Sequence, residues 1–479
     1  MRFNVHKKSS TPIYQQIYEQ IRYRIQTSMI KPGDQLPSLR KLSQELEISL
    51  LTVRKAYQLL QKSGLIVIQS GKGAFVKGVT KRPSKVLNNF SWQDELNVNI
   101  TRSQYSLNRD RKYYDFSQAI LFPRLLPNQF LAQEMQSLLR TNELVLATYG
   151  PIQGDRELRM ELSSYLQREQ GIKAEPHEIM ITSGAQQGID LIAQTLLKPG
   201  DTVIVESPCY GAAIDVFTNK GVNVISIELD EEGIQSDLVE EVCQKIKPSL
   251  LYVNPTFQNP TGILMSRQRR KELVGLAELY HFFIVEDDSF GEIYFDDISV
   301  PPPIKTFDKN GHVLFLKGFS KTLAPGLRIG LLYAQGSVFD WLYAVKALMD
   351  IGSPLLTQKA VLAFLRTDRM KHHMEKLRIA LQLRRDHASD LLSSLSESVQ
   401  FQVPKGGFNL WLKLPQKVNT FGLLKKAKAQ EHNICFLPGE ACFVHKPLHA
   451  YIRISYSLLS DTDLNTGLQR LNAILSAEI

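Results

Sequence analysis

Five short apolar runs in the middle of the chain constrain its fold more than any other feature. They are EIMIT (178–182), DTVIVE (201–206), SLLYVN (249–254), FFIVED (282–287) and HVLFLK (312–317). Runs without apolar–polar alternation are typical of strands buried on both faces, and the amphipathic, helix-length stretches between them are the usual connections of parallel strands. The pattern predicts an α/β domain with a mostly parallel sheet over residues 113–479.

Ligands of such a sheet bind beyond the carboxyl ends of its strands, so the residues after each run form the candidate site. The first run is followed by Ser183, Gly184, Ala185 and Gln186 at the start of a helix, where free backbone N–H groups can hold a phosphate. Larger side chains follow the other runs or lie near the C-terminus: Tyr210, Asn259, Asp287, Lys321, Arg328 and Arg453.

This set of groups suits pyridoxal 5'-phosphate. A lysine amine such as that of Lys321 forms a Schiff base with the aldehyde of the cofactor, and a carboxylate such as Asp287 keeps the pyridine nitrogen protonated, so that the ring withdraws electrons. The ring of Tyr210 can lie on a flat ligand, and the guanidinium of Arg453 suits the carboxylate of a substrate. The residues therefore predict a site for this cofactor and for an amino compound beside it.

Positive charge is concentrated in the N-terminal sixth of the chain. Residues 1–80 contain 13 Lys and Arg against 4 Asp and Glu, whereas the remainder contains 44 residues of each sign. A local excess of this size attracts a polyanion such as nucleic acid.

The same segment has the pattern of a small DNA-binding fold. TPIYQQIYEQIRYRI (11–25) has an isoleucine at every fourth position, which predicts a helix with one apolar stripe. Ser38 and Ser49 precede two further helical stretches as N-caps. LIVIQSGKGAFV (65–76) predicts two short strands around a glycine-rich turn. We therefore predict a winged helix-turn-helix over residues 1–77.

This segment resembles the winged helix-turn-helix of the GntR family. LPSLRKLSQEL, TVRKAYQLL, SGLI and GKGAFV stand in the order and spacing of that family. The resemblance implies contacts with double-stranded promoter DNA from Arg40, Thr52 and Arg54, and from Gly71 and Lys72 of the wing at the minor groove or the backbone.

One position departs from the GntR pattern. Leu50 and Leu51 stand at the start of the recognition helix, where the family usually presents a polar or arginine side chain. Base readout there is either apolar, through a thymine methyl group, or absent. Residues 78–112, which follow this domain, are polar and basic without clear periodicity, which predicts a linker.

Residues 113–479 resemble the fold-type-I aminotransferases. The resemblance is carried by YGPIQGDRELR, TSGAQQGIDL, SPCYG, QNPTG, EDDSFGEI, FSKTLAPGLRIG and YIRISYS, in this order. It assigns the Schiff base, the pyridine nitrogen, the phenolic oxygen O3' and ring stacking, respectively, to Lys321, Asp287, Asn259 and Tyr210. It assigns the phosphate to Gly184, Ala185, Gln186 and Arg328, a contact from the partner subunit to Tyr149, and the carboxylate of an amino compound to Arg453.

Two positions depart from the aminotransferase pattern. Phe290 stands where a tyrosine usually donates a hydrogen bond to O3', and Gly318 stands where a serine often contacts the phosphate. Both changes weaken the expectation of efficient transamination more than the expectation of Schiff-base formation.

A GntR-like DNA reader fused to an aminotransferase-like domain is similar to the MocR/GabR family of transcription regulators. This resemblance implies a homodimer in which an amino-compound effector forms an external aldimine and alters the geometry of the DNA-binding heads, with little or no turnover. Two alternatives remain open at this point. The protein could sense pyridoxal 5'-phosphate itself and control vitamin B6 genes, or it could be a metabolic aminotransferase with an accessory N-terminal domain.

The remaining features narrow the setting. Cys209, Cys243, Cys435 and Cys442 have no CxxC spacing and no histidine placed to complete a metal site, so reduced, mostly buried thiols and no metal are expected. No N-terminal apolar segment resembles a signal peptide, and no run approaches the roughly 18 apolar residues of a membrane span. A soluble, cytoplasmic protein is expected.

Overall fold

The structure is a computed structural model, and the chain forms two compact units, one within residues 1–98 and one within residues 99–479. The residues it describes are 5, 12–26, 30, 33–69, 73–76, 113–395, 399–429 and 432–478. The linker predicted over residues 78–112 lies outside the described residues, so the domain limits stay a prediction.

The N-terminal unit contains three helices and a two-stranded hairpin. They are α1 (Ile13–Gln26), α2 (Leu39–Glu45), α3 (Leu50–Lys62), β1 (Ile66–Gln69) and β2 (Gly73–Val76), and the two strands are antiparallel. Both predicted N-caps are confirmed, because the side chain of Ser38 accepts from the Lys41 N–H at 3.2 Å and that of Ser49 accepts from the Leu51 N–H at 3.1 Å. Each cap fixes the start of its helix and hence the direction of the turn between α2 and α3.

The isoleucine stripe of α1 forms the core of this unit. Ile17 and Ile21 are fully buried and pack with Val53, Tyr57 and Leu60 of α3. The Tyr57 hydroxyl also donates to the Pro37 carbonyl at 2.8 Å, which ties α3 to the residues just before α2. These contacts anchor α3 through its buried face, while its first turn lies at the surface.

The large unit is built on a central eight-stranded sheet and two small sheets. Its strands are β3 (Tyr114–Asp115), β4 (Ile179–Thr182), β5 (Thr202–Ser207), β6 (Asn223–Asp230), β7 (Gly233–Ile234), β8 (Leu250–Val253), β9 (Phe283–Asp288), β10 (Val313–Gly318), β11 (Gly330–Tyr333), β12 (Asn409–Leu414), β13 (Ile434–Cys435), β14 (Leu437–Pro438) and β15 (Ala450–Ser455).

The order of strands in the central sheet is β4-β11-β10-β9-β8-β5-β6-β7. The pairs from β10 through β9, β8 and β5 to β6 are parallel, whereas β11 runs antiparallel to both β10 and β4, and β7 runs antiparallel to β6. The five predicted runs form β4, β5, β8, β9 and β10, so the mostly parallel sheet is confirmed. Strands β6 and β11 were not among the predicted strands.

Helices cover the sheets and enclose their apolar residues. They are α4 (Asn128–Thr141), α5 (Arg156–Gln170), α6 (Ala185–Leu196), α7 (Gly211–Asn219), α8 (Ser236–Lys245), α9 (Arg267–Tyr280), α10 (Ser337–Met349), α11 (Leu355–Leu365), α12 (Arg369–Ser393), α13 (Thr420–Ala427) and α14 (Asp461–Glu478). Among these described helices, none combines the length and the apolar character that crossing a membrane requires.

The small sheets lie at the ends of the large unit's sequence. Strand β15 pairs antiparallel with β12 and β14, and β13 pairs in parallel with β3. Strand β3 is the first element described in the large unit, so the residues that follow it enter the fold beside the C-terminal strands. The four cysteines are buried and form no disulfide with one another, and no metal-binding group of His, Cys, Asp and Glu is gathered among the described residues.

Candidate functional sites

A cavity of about 460 Å³ lies at the carboxyl ends of strands β4, β5, β8, β9 and β10 of the central sheet. All but one of the predicted cofactor and effector residues line this cofactor cavity: Gly184, Ala185, Gln186, Tyr210, Asn259, Asp287, Lys321, Arg328 and Arg453. The exception is Tyr149, which is 85% exposed and does not line the cavity.

Lys321 presents its amine inside the cofactor cavity. It follows β10 and donates a hydrogen bond from Nζ to the backbone carbonyl of Ala119. Burial lowers the pKa of Lys321 to about 8; the Arg453 guanidinium nearby also lowers it, and the Asp287 carboxylate opposes this shift. More of this amine is therefore neutral, and nucleophilic, at neutral pH than that of an ordinary lysine.

Asp287 is a buried carboxylate held by two hydroxyl groups. Tyr252, on the neighbouring strand β8, donates to its Oδ2 at 2.6 Å, and Ser289 donates to its Oδ1 at 2.7 Å. Burial raises the pKa of Asp287, while the two hydrogen bonds stabilise its ionised form and act in the opposite direction. The two hydrogen bonds fix the orientation of this carboxyl group in the cavity, where it suits a protonated pyridine nitrogen.

Arg453 belongs to one of the small sheets, and its side chain lines the cofactor cavity. It lies on β15 and donates from Nη1 to the side-chain oxygen of Asn259 at 2.9 Å and from Nη2 to the backbone carbonyl of Ser117. Its Nε is buried and has no hydrogen-bond partner among the described residues. Since its partners are neutral oxygens, an incoming carboxylate would be a stronger acceptor than either.

The N-terminus of α6 forms an anion cradle. Gly184 is its N-cap with φ of 89° and ψ of 167°, a conformation that only glycine adopts easily. A Cβ atom there would lie 2.9 Å from Nη2 of Arg328, which donates to the Ser183 carbonyl at 2.5 Å. The absence of a side chain thus leaves the first N–H groups of α6 and the Arg328 guanidinium open to the same anion.

The residues fit pyridoxal 5'-phosphate. Both the Nε of Arg453 and the Oε1 of Gln186 are buried polar atoms without partners among the described residues, which marks the cavity as a place where a polar ligand completes the hydrogen bonding. The α6 cradle suits the phosphate, Asp287 suits the pyridine nitrogen and Lys321 suits the aldehyde. Burial raises the pKa of Tyr210 to about 12, so its ring is available as a neutral surface for a flat ligand.

Both departures from the aminotransferase pattern line the cofactor cavity. Phe290 is buried and packs edge-on against Phe408 at 5.2 Å between ring centroids. Gly318 ends β10, and a Cβ atom there would lie 3.5 Å from that of Ala185, an ordinary contact. The site therefore lacks a hydroxyl at each of these two positions.

Sequence reasoning missed one entire wall of the cavity. Ser117, Gln118, Ala119 and Ile120 line it, and they belong to residues 116–122, which we call the entry segment because they directly follow β3. These residues contribute mainly backbone carbonyl groups, which leave no residue-type signal. Tyr252 and Asn254 were also missed, although both belong to the predicted run SLLYVN.

The entry segment is tied on its other side to the C-terminal strands. The Phe116 N–H donates to the Cys435 carbonyl at 2.7 Å, and the Ser455 N–H donates to the Phe116 carbonyl at 2.8 Å. The Ser457 hydroxyl donates to the Ile120 carbonyl at 2.6 Å. Two backbone hydrogen bonds and the Ser457 hydroxyl thus hold the segment to the C-terminal strands, and Lys321 and Arg453 bond to its carbonyl groups from the cavity.

In the N-terminal unit, the predicted DNA contacts that are described lie on α2 and α3. The side chains of Arg40 and Arg54 are exposed and make no hydrogen bond or ion pair with another described residue, and Thr52 is half-buried. The predicted wing contacts, Gly71 and Lys72, lie outside the described residues.

Comparison with known proteins finds both halves of this arrangement. Residues 124–471 match the model of the class I and II aminotransferases, and residues 13–76 match that of the bacterial regulatory proteins of the gntR family. The chain is 32% identical to YdfD of Bacillus subtilis (strain 168), an uncharacterized HTH-type transcriptional regulator, over 99% of each chain.

Solved structures resemble the large unit. The multiple substrate aminotransferase (MsAT) from Thermococcus profundus has a TM-score of 0.75 and 29% identity, covering 82% of this chain and 99% of its own. LysN, the alpha-aminoadipate aminotransferase from Thermus thermophilus, complexed with N-(5'-phosphopyridoxyl)-L-leucine, has a TM-score of 0.73 and 27% identity, covering 81% of this chain and 98% of its own.

Proposed function

This chain is a MocR-type transcription regulator, in which a GntR-family helix-turn-helix domain precedes a class I and II aminotransferase domain that uses pyridoxal 5'-phosphate, and we propose that the second domain senses an amino compound. The observation that carries the proposal is the presence of Lys321, Asp287, Arg328 and Arg453 in one cavity of about 460 Å³, a size typical of small-molecule sites.

Each of these residues has one part in holding the cofactor and the effector. The α6 cradle with Arg328 holds the phosphate, Asp287 keeps the pyridine nitrogen protonated, and Asn259 directs its amide nitrogen to the phenolic oxygen because Arg453 already engages its oxygen. When bound, the cofactor would supply an electrophilic aldehyde, and Lys321 is the residue whose amine would hold it until the amine of an effector competes for the same carbon.

Arg453 selects an effector that carries a carboxylate. Its two present hydrogen bonds go to the neutral oxygens of Asn259 and Ser117, and a carboxylate competes well for both donors because it is charged. The effector is therefore an amino acid or a related amino compound with an anionic group.

The entry segment connects this event to the DNA-binding domain. Arg453 donates to the Ser117 carbonyl, and the carboxylate of the effector withdraws this donor and so releases that part of the segment, whereas the Lys321 amine, which the cofactor engages first, becomes free to donate to the Ala119 carbonyl again. Because the entry segment follows residues 78–112, which join the two domains, its release alters the geometry of the DNA-binding heads. The effector acts through its different affinities for the held and the released states.

Turnover is low or absent in this proposal. Phe290 gives no hydroxyl to the phenolic oxygen and Gly318 gives none to the phosphate, so two groups that assist transamination are missing while Lys321 and Asp287 are present. The protein acts in the cytoplasm, where the promoter DNA is found.

A homodimer is the proposed assembly. Leu144, Leu146 and Tyr149 are 62%, 71% and 85% exposed, and Leu348 and Ile351 are 89% and 58% exposed. The two segments touch, because a Cβ atom on Gly352 would lie 2.6 Å from the Gly150 carbonyl oxygen. Neighbouring apolar side chains with this exposure favour burial against a second copy, which would bring Tyr149 to the partner's cofactor.

The proposal is tested with full-length protein and a promoter duplex in a DNA-binding titration. Addition of an effective amino acid is expected to change both the Schiff-base absorbance and the affinity for DNA in the wild-type protein, and neither in Lys321→Ala. The exposed Lys309→Ala serves as the matched control and keeps both responses. A Lys321→Ala protein with an unchanged DNA response refutes the sensing function.

The same titration separates the alternatives. A DNA response to pyridoxal 5'-phosphate alone, with no further effect of any amine, identifies a sensor of the cofactor. Multiple turnovers of an amino donor and a keto acid at rates typical of aminotransferases, with DNA affinity unaffected, identify a metabolic enzyme.

The route through the entry segment has its own test. Ser457→Ala removes the hydroxyl that holds the Ile120 carbonyl but lies outside the cavity lining. We expect unchanged cofactor uptake and an altered DNA response to the effector, while Ser476→Ala, on the exposed face of α14, behaves as wild type. If Ser457→Ala also responds as wild type, the route is wrong although sensing itself stands.

A further inference from the structure

The first turn of α3 presents apolar side chains to solvent. Leu50 and Leu51 are 44% and 72% exposed, and Leu51 is the most exposed large apolar side chain among the described residues of the N-terminal unit. The core-facing residues of the same helix, Val53, Tyr57 and Leu60, are buried. The exposed apolar side chains of α3 therefore lie at its N-terminal end.

Packing within the unit does not account for these leucines. The helix is started by the Ser49 cap, which accepts from the Leu51 backbone N–H, and it is anchored by Tyr57, whose hydroxyl bonds to the Pro37 carbonyl. Neither contact uses a leucine side chain. An isolated exposed leucine is ordinary, but two in sequence on the turn that starts the second helix of a helix-turn-helix lie where base edges are read.

The major groove offers one apolar group at this position. Its base edges carry hydrogen-bond donors and acceptors, apart from the C5 methyl group of thymine. Leu51 lies one helical turn before Arg54, on the same side of α3, and Arg54 is exposed and free of ion pairs with other described residues. The turn thus combines a cation suited to phosphate or guanine with hydrocarbon suited to a methyl group.

We propose that Leu51, flanked by Leu50, selects a thymine in the recognised DNA by contacting its C5 methyl group. This inference rests on the DNA-binding function and adds the base that one residue specifies. It accounts for the loss of a polar side chain at the start of α3, because a methyl contact needs no hydrogen-bonding group. Arg54 and Arg40 supply attraction to the backbone, which is independent of sequence.

The experiment uses the full-length protein and a duplex enriched by it from a random pool. Each thymine of that duplex is replaced in turn by deoxyuridine, which removes the methyl group and preserves every hydrogen-bonding edge. For the wild-type protein we expect about fourfold weaker binding at the contacted position, the effect of one buried methyl-sized group. Leu51→Ala is expected to bind the thymine and uracil duplexes equally.

The matched control is Leu279→Ala, which removes a 64% exposed leucine from α9 of the large unit and should keep the discrimination of wild type. Equal binding of thymine and uracil duplexes by the wild-type protein overturns the inference, and so does discrimination that survives in Leu51→Ala. Failure to enrich any duplex overturns the DNA-binding function itself, which is a different result.

Discussion

The hydroxyl of Tyr252 donates a 2.6 Å hydrogen bond to Oδ2 of Asp287 from the adjacent parallel strand. The tyrosine is fully buried, so its ring packs in the core of the sheet while its hydroxyl contacts a residue of the cavity. It stabilises the ionised carboxylate against a burial effect that raises the pKa of Asp287. Tyr252 is thus a positioning residue for the carboxyl group that we propose to face the pyridine nitrogen.

Tyr252→Phe is expected to weaken cofactor binding about tenfold, since a hydrogen bond to a charged group contributes on the order of 1.5 kcal/mol or more. The pKa of Asp287 is expected to rise in the variant, because the Tyr252 hydrogen bond that lowers it is lost, so the ionised form that the proposed cofactor contact needs is less favoured. Equilibrium titration with pyridoxal 5'-phosphate measures the change. The control is Tyr280→Phe, because the Tyr280 hydroxyl donates to the Glu240 side chain at a distance of 3.3 Å and does not line the cavity. Equal cofactor affinities in the two variants would contradict this role of Tyr252.

The residues of this site that the sequence predicts are those that follow the strands of the parallel sheet. Asp287 and Lys321 follow different apolar runs, yet both line one cavity because the carboxyl ends of β9 and β10 lie side by side. Runs of buried strands, serine caps and glycine at a helix start have local causes, so the sequence alone predicts them. The same holds for Ser38 and Ser49 in the N-terminal unit.

The unpredicted part depends on backbone groups and on packing between distant segments. The carbonyls of Ser117 and Ala119 face Arg453 and Lys321, but any residue type supplies a carbonyl. Tyr252 stands in an apolar run, where a tyrosine usually indicates core. Strand β11 was missed because its first residue, Gly330, is also the last residue of the motif FSKTLAPGLRIG, whose chemistry explained the stretch without a strand.

Gly184 permits a direct test of the anion cradle. Gly184→Ala strains a backbone with φ of 89° and brings a Cβ atom to 2.9 Å from Arg328 Nη2, so we expect lower stability by roughly 1–3 kcal/mol and loss of phosphate affinity. Gly336→Ala is matched in backbone strain, with φ of 72° and ψ of −160°, but its Cβ meets nothing within 4 Å.

Both glycine variants should therefore unfold at lower urea concentration, but only Gly184→Ala should bind pyridoxal 5'-phosphate more weakly. Urea unfolding and cofactor titration of the same preparations measure the two effects. Similar cofactor affinities in both variants would show that the cradle does not hold the phosphate.

Cofactor capture by the cofactor-free protein should depend on pH through Lys321. Only the neutral amine attacks an aldehyde, and the pKa of Lys321 is lowered to about 8, so the capture rate should rise through pH 8 and level off above pH 9. Arg453→Gln removes a positive charge that lowers this pKa, and the midpoint should move upward. Stopped-flow absorbance follows the reaction. Arg366→Gln, a surface change, should leave the midpoint in place, and a wild-type rate still rising at pH 10 would contradict the lowered pKa.

Glu206 should make the protein less stable as pH rises. It is buried at the end of β5, accepts from the Asn254 N–H at 3.1 Å and the Gln258 amide at 3.0 Å, and burial raises its pKa from 4.5 to about 8. The folded state therefore retains a proton that the unfolded chain releases above pH 4.5. This contribution to the free energy of unfolding is complete below pH 4.5 and is lost as pH rises through 8.

Glu206→Gln replaces the titrating carboxyl with a neutral amide of the same shape. Between pH 6 and 8 its free energy of unfolding should fall by about 2 kcal/mol less than that of wild type, since one proton corresponds to roughly 1.4 kcal/mol per pH unit. Urea unfolding followed by tryptophan fluorescence gives the slope. Glu241→Gln on the surface of α8 should retain the wild-type slope, and parallel curves for Glu206→Gln and wild type would mean that Glu206 is already ionised in the folded protein.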